Sequence, residues 1–116
     1  MSAEDSKDRI EEVLSLLGLA RRAGILFVGQ DQVFRARAKE GLFVIASEDC
    51  SPNVWSKISA SGDGKTTGRT LSGVGRDEMG RYIGVRSAQI AAVPINSGFA
   101  KKITLLLRQE GSDIDE

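Results

Sequence analysis

The 116-residue chain has no histidine, one cysteine (Cys50) and two prolines. Without histidine it lacks the side chain that titrates nearest neutral pH and the commonest metal ligand. One cysteine permits neither an internal disulfide nor a Cys-rich zinc cage. With no imidazole to activate it, Cys50 reads as a plain thiol. No apolar run approaches the roughly 18 residues that a membrane span needs. The acidic, polar residues 1–8 are unlike a secretory signal. These absences predict a cytoplasmic protein with no metal site, no cofactor and no membrane association.

What remains is ordinary in amount and uneven in distribution. A mass of 12.5 kDa supports one domain, and 41% hydrophobic with 28% charged residues suits a folded protein. Sixteen Lys and Arg balance sixteen Asp and Glu, but residues 1–12 carry a net −3 and residues 109–116 a net −4. The body, residues 13–108, holds fourteen bases against seven acids, a net +7. The expected organisation is an acidic extension over 1–12 that runs into the first helix, one domain over 13–108, and an acidic tail over 109–116. A basic body suits a polyanionic partner; the plain alternative is a solvated surface with frayed acidic ends.

Ile10, Val13, Leu14, Leu17 and Ala20 recur at helical spacing, and Gly24 ends that helix by accepting a left-handed conformation. Residues 25–28 (Ile-Leu-Phe-Val) read as a short strand. Gly29 turns the chain into a helix over 30–40, closed by Gly41. Residues 42–46, continuously apolar, read as a strand covered on both faces. Ser51-Pro52 starts a third helix. Residues 59–68 read as a mobile loop, with a weak strand over 69–72. Asp77 and Glu78 open a short helix that buries Met79, Tyr82 and Ile83 and ends at Gly84. Residues 89–95 form a buried strand, and Asn96 or Ser97 caps a last helix with Phe99, Ile103, Leu106 and Leu107 inward. The order αβαβαβαβα predicts an α/β fold, a three-layer α/β/α sandwich with a mixed four-stranded sheet and helices on both faces.

Three segments carry candidate chemistry. Ser59-Ala60-Ser61-Gly62-Asp63-Gly64-Lys65-Thr66 ends like a phosphate-binding P-loop. It begins with serine instead of glycine, follows a helix, and has no helix-forming stretch after it, so a flexible loop is the better reading. Gly29, Gln30, Asp31 and Gln32 place compact polar groups at a helix start, with Arg35, Arg37 and Lys39 further along. Amides and carboxylates can meet base edges, and arginine binds phosphate through its planar fork; the plain alternative is a capped surface helix. Val85, Arg86, Ser87, Ala88 and Gln89 form a short connector that would complete a two-sided clamp if it lay beside Gly29 at one sheet end. Glu48-Asp49 could hold Mg²⁺ or exchange protons but reads better as a polar strand exit. Trp55 and Phe99 sit at core-like spacing, which favours packing over base stacking.

At these residues the sequence resembles bacterial members of the L-seven-Ae/L-thirty-e ribosomal protein family. The resemblance rests on Leu16-Leu17-Gly18-Leu19-Ala20-Arg21-Arg22-Ala23-Gly24, on the spacing to Gly29, and on Phe43-Val44-Ile45-Ala46-Ser47-Glu48-Asp49-Cys50-Ser51-Pro52-Asn53. Gly80, Gly84 and Asn96-Ser97-Gly98-Phe99-Ala100-Lys101-Lys102 extend it to about Leu107. It implies a non-enzymatic protein that binds structured RNA, typically the kink-turn, a sharply bent duplex with tandem sheared G·A pairs. Carried over by position, Gly29, Gln30, Asp31 and Gln32 would read the G·A pairs, with Arg35 at a basic position. Residues 85–89 would cup the bulged nucleotides. Archaeal and eukaryotic members usually show Asn then Glu where this chain has Asp31 then Gln32; an ionised Asp31 accepts hydrogen bonds but donates none. Residues 59–72 lack the family's apolar strand, so that sheet edge is expected to be short or disordered. The expected partners are ribosomal or another kink-turn RNA and the ribosome, bound by a monomer. Two alternatives stand beside this: a protein-interaction module of the same fold, and a nucleotide-binding enzyme using Gly64-Lys65-Thr66.

Overall fold

A computed structural model describes residues 3–59 and 65–115, with side chains described over 7–58 and 65–108. The elements follow the expected alternation: α1 (Ala3–Arg22), β1 (Phe27–Val28), α2 (Gly29–Arg37), β2 (Leu42–Ala46), α3 (Pro52–Ser59), β3 (Thr67–Thr70), α4 (Arg76–Ile83), β4 (Ile90–Pro94) and α5 (Gly98–Asp115). The sheet order is β1-β4-β2-β3, with β4 antiparallel to both β1 and β2, and β3 parallel to β2. The sheet is therefore mixed and four-stranded. Among the described residues no helix is long and apolar enough to cross a membrane.

Strand side chains alternate between two cores, as the two-residue repeat of a strand requires. Phe43, Ile45, Ala91 and Val93 pack with Val13, Leu14 and Leu17 of α1, Met79 and Ile83 of α4, and Ile103 and Leu107 of α5. Leu42, Val44, Ala46, Ile90 and Ala92 face Val33 and Ala36 of α2 and Val54 and Ile58 of α3. All five residues of β2 are buried, so its unbroken apolar run has a physical cause: both of its faces are covered.

The helix ends show which local signals the fold uses. Gly24 has φ +80°, and Ile25 donates its N–H to the Ala20 carbonyl across the end of α1. That bond ties Ile25 to the helix end, and β1 shrinks from the expected four residues to Phe27 and Val28. Helix α2 stops at Arg37, before the expected boundary, and Gly41 is not left-handed. Gly41 is needed for space instead: a Cβ there would lie 2.9 Å from Lys65 Cβ and 3.2 Å from Ile95 Cγ2. Ser51 Oγ accepts from Val54 N at 3.2 Å and Ser97 Oγ from Ala100 N at 3.1 Å, so both hydroxyl caps form as expected, the second at Ser97.

Strand β3 lies two residues before its expected place, and its four residues, Thr-Gly-Arg-Thr, make a short sheet edge. Residues 60–64, half of the expected mobile loop over 59–68, lie outside the described residues, while Ser59 ends α3 and Thr67 and Gly68 belong to β3. Tyr82 corrects the reading of α4. Met79 and Ile83 are buried, but Tyr82 is 37% exposed. In a two-turn helix packed on α1, positions 79 and 83 share the inner face and 82 falls at its margin.

Candidate nucleic-acid interface

Helix α2 starts without the usual side-chain cap. Val28, in extended conformation, supplies no capping hydrogen bond, and Gly29 opens the helix with φ +84°. Nothing lies within 4 Å of where a Gly29 Cβ would sit, so glycine is required there by backbone conformation and not by crowding. The amide end of α2, where the helix dipole is positive, therefore opens onto an adjacent cleft.

That cleft, about 220 Å³, is lined by Gly29 and Gln30 on one side and by Ser87, Ala88, Gln89 and Ile90 on the other, with Val54 of α3 at its margin. The two connectors singled out in the sequence thus meet. The register explains why: Val28 pairs with Ala91 and Ala46 with Ile90, so the ends of β1 and β2 converge on the start of β4. Val54 and Ile90 were not anticipated, because each reads locally as ordinary core.

The second connector is held rigidly. Ala88 is buried and donates its N–H to Arg76 O at 3.0 Å. Gln89 accepts from Ser51 N at 2.7 Å through Oε1, and its carbonyl accepts from Ser47 N at 2.8 Å. Gln89 is therefore a brace for the start of α3 as well as part of the cleft wall. Val85 is half-buried against the α1 side of the core, which leaves Arg86 and Ser87 as the exposed members of the connector.

The expected residues on α2 divide between two faces. Gln32 and Arg35 of α2 and Lys39 of the turn after it line a second cleft of about 510 Å³ with Phe27, Ala36 and Glu40. Gln32 Oε1 accepts from Val28 N at 2.9 Å, so its carbonyl steadies the helix start. Arg35 and Lys39 are exposed, as are Gln30 and Asp31. Arg37 points elsewhere: it donates to Lys57 O at 2.8 Å, and its guanidinium sits 5.0 Å from the Phe34 ring centroid. It joins α2 to α3, where Lys57 also approaches Phe34.

Glu48 and Asp49 anchor a strand exit. Glu48 Oε1 accepts from Gly73 N at 2.8 Å. Asp49 Oδ1 accepts from Ser47 Oγ at 2.7 Å and from Arg76 N at 2.9 Å. Ser47's hydroxyl, then Arg76's N–H and guanidinium, hold the Asp49 carboxyl below the ordinary carboxylate range against the opposing effect of burial. The stabilisation these bonds give is present above the ordinary value of 3.8 and is lost as pH falls through the lower folded value. Asp49→Asn should therefore weaken the fold near neutral pH and flatten the acid limb of a urea-stability profile against pH; an unchanged profile would refute the role.

Burial pushes the Cys50 thiol up, away from the thiolate that a nucleophile needs. Strand β3 follows Gly64-Lys65-Thr66 at once, where a P-loop would place a helix. Residues 60–64 of that motif lie outside the described residues.

No protein-family model and no curated protein matches the chain. Among solved structures, a protein of unknown function from Bacillus halodurans is 31% identical, with a TM-score of 0.70 over 82% of this chain and 95% of that one. A 15.5 kD RNA-binding protein of Giardia lamblia has a TM-score of 0.69 over 97% of this chain and 92% of its own. At 13% identity the second likeness establishes the shared fold.

Proposed function

We propose that this chain, which belongs to one family with the Bacillus halodurans protein, binds structured RNA without catalysing a reaction. The motif it binds is a kink-turn or a similarly bent element. The observation that carries this reading is the cleft where the open amide end of α2 faces the braced 87–89 connector, with exposed Arg35 and Lys39 in the second cleft further along the chain. Gln30 and Ser87 offer hydrogen-bonding groups to bases turned out of a helix, and Arg35 and Lys39 take phosphates that a bend crowds together. The Giardia lamblia protein, an RNA binder of the same fold, supports the reading, as does the family resemblance in the sequence. On this reading the protein acts in the cytoplasm as a ribosome-associated monomer.

Titration of a kink-turn RNA across salt concentrations tests this. For about three phosphate contacts, affinity should fall about fortyfold between roughly 50 and 200 mM salt. Arg35→Ala should weaken binding and make that dependence shallower. Equal, weak binding to a straight duplex would overturn the kink-turn assignment. Asp31 favours a second reading, since its exposed carboxylate stands at the helix start where phosphate would approach. Under that reading the same rim docks a protein, and partner capture survives nuclease and high salt.

A further inference from the structure

Helices α1 and α4 meet so closely that a Cβ on Gly18 would lie 2.6 Å from the Tyr82 carbonyl oxygen. Above this contact the Tyr82 ring borders two open cavities. One, about 250 Å³, is lined on the α1 side by Ser15, Gly18, Leu19 and Arg22; the other, about 380 Å³, by Glu78 and Arg81 of α4. Tyr82 and Leu19 are 37% and 45% exposed, large fractions for such side chains. Arg21 closes the C-terminal end of α4, with Nη1 donating to Ile83 O at 3.2 Å and Gly84 O at 3.3 Å. Among the described residues that line the two cavities, Arg22 and Arg81 flank the exposed ring against one carboxylate, that of Glu78, and Arg21 adds a third cation at the end of α4.

The groove is joined to the cleft by a short piece of chain. After Gly84 the connector passes exposed Arg86 and reaches Ser87, whose backbone lies against Gly80 on α4. A strand leaving the cleft past Ser87 and Arg86 would meet Arg21, Arg22 and Tyr82 next. We propose that the α1/α4 groove binds single-stranded RNA flanking the bent element. Tyr82 stacks on an unpaired base, Leu19 packs beside it, and Arg22 and Arg81 hold the adjoining phosphates. The cationic surroundings favour a polyanion here, and the arginine-bearing connector gives it a route from the cleft. This inference rests on the RNA-binding reading above.

The test compares a kink-turn RNA with blunt ends and the same RNA carrying an unpaired uridine tail of about six nucleotides at either end. For the wild-type protein one tail should tighten binding about tenfold. Tyr82→Ala should abolish that gain and leave blunt-RNA affinity unchanged, whereas Tyr82→Phe, which keeps the ring, should retain it. Arg22→Ala with Arg81→Ala should reduce the gain and its salt dependence. A 4-thiouridine in the tail should crosslink to α1 or α4. Tight blunt-RNA binding with no gain from either tail would overturn the groove proposal alone. Failure of the wild type to bind any of these RNAs would overturn both readings.

Discussion

Gly80→Ala is expected to lower stability by about 2 kcal/mol and RNA affinity by at least tenfold. An added Cβ would lie 2.6 Å from Ser87 Cα, 2.8 Å from Ser87 N and 2.9 Å from Arg86 C. All three are backbone atoms, so no side chain can rotate away and the connector itself must move. Overpacking of this kind costs about 1–3 kcal/mol or more, while replacing a helical glycine returns up to about 1 kcal/mol. The steric cost wins. Because the displaced segment is one wall of the cleft, binding should fall even though the protein stays folded. Gly98→Ala is the control: nothing lies within 4 Å of its Cβ position, and stability should hold or rise. Urea unfolding and RNA titration of both variants check this; a Gly80→Ala protein with wild-type midpoint and affinity would refute it.

Reversing the charge of Arg35 and Lys39 together, as Arg35→Glu with Lys39→Glu, should weaken kink-turn binding about a hundredfold near 100 mM salt. The slope of log affinity against log salt should become shallower by about two, one unit for each phosphate contact removed. Both side chains are exposed and line the same cleft, Arg35 on α2 and Lys39 in the turn after it, so the fold should be unaffected. Arg37→Ala should behave oppositely. Its guanidinium holds Lys57 O and covers Phe34, so its loss should reduce stability by about 1 kcal/mol and leave the salt slope nearly unchanged. If Arg37→Ala flattened the slope and the double reversal did not, the phosphates would have to lie across α2 and α3 instead.

Those two arginines show where the sequence reading divides. Arg35 and Arg37 are two positions apart in a basic run, and nothing local separates them. Two residues along a helix is about 200°, which puts them on nearly opposite sides. Which side is open depends on α3, whose residues are about 20 positions away. Gln89 is similar: its acceptor is committed to Ser51 N, a partner 38 residues earlier that only the sheet brings near.

By itself the sequence determined the nine-element order, the two-faced burial of β2, the hydroxyl cap at Ser51, a polar cap at Asn96 or Ser97, the left-handed end at Gly24 and the end of α4 at Gly84. Each follows from forces acting over a few residues: apolar periodicity, a hydroxyl within reach of a nearby N–H, or a backbone angle that a Cβ disfavours. Tertiary structure alone decided that the ends of β1 and β2 converge on the start of β4, so that Gln30 and Ser87 share a cleft. It also decided that Gly41 and Gly80 serve as contact points between segments, and that Tyr82 stays partly exposed. These depend on strand pairing and on the approach of distant backbones, which no local pattern of residues encodes.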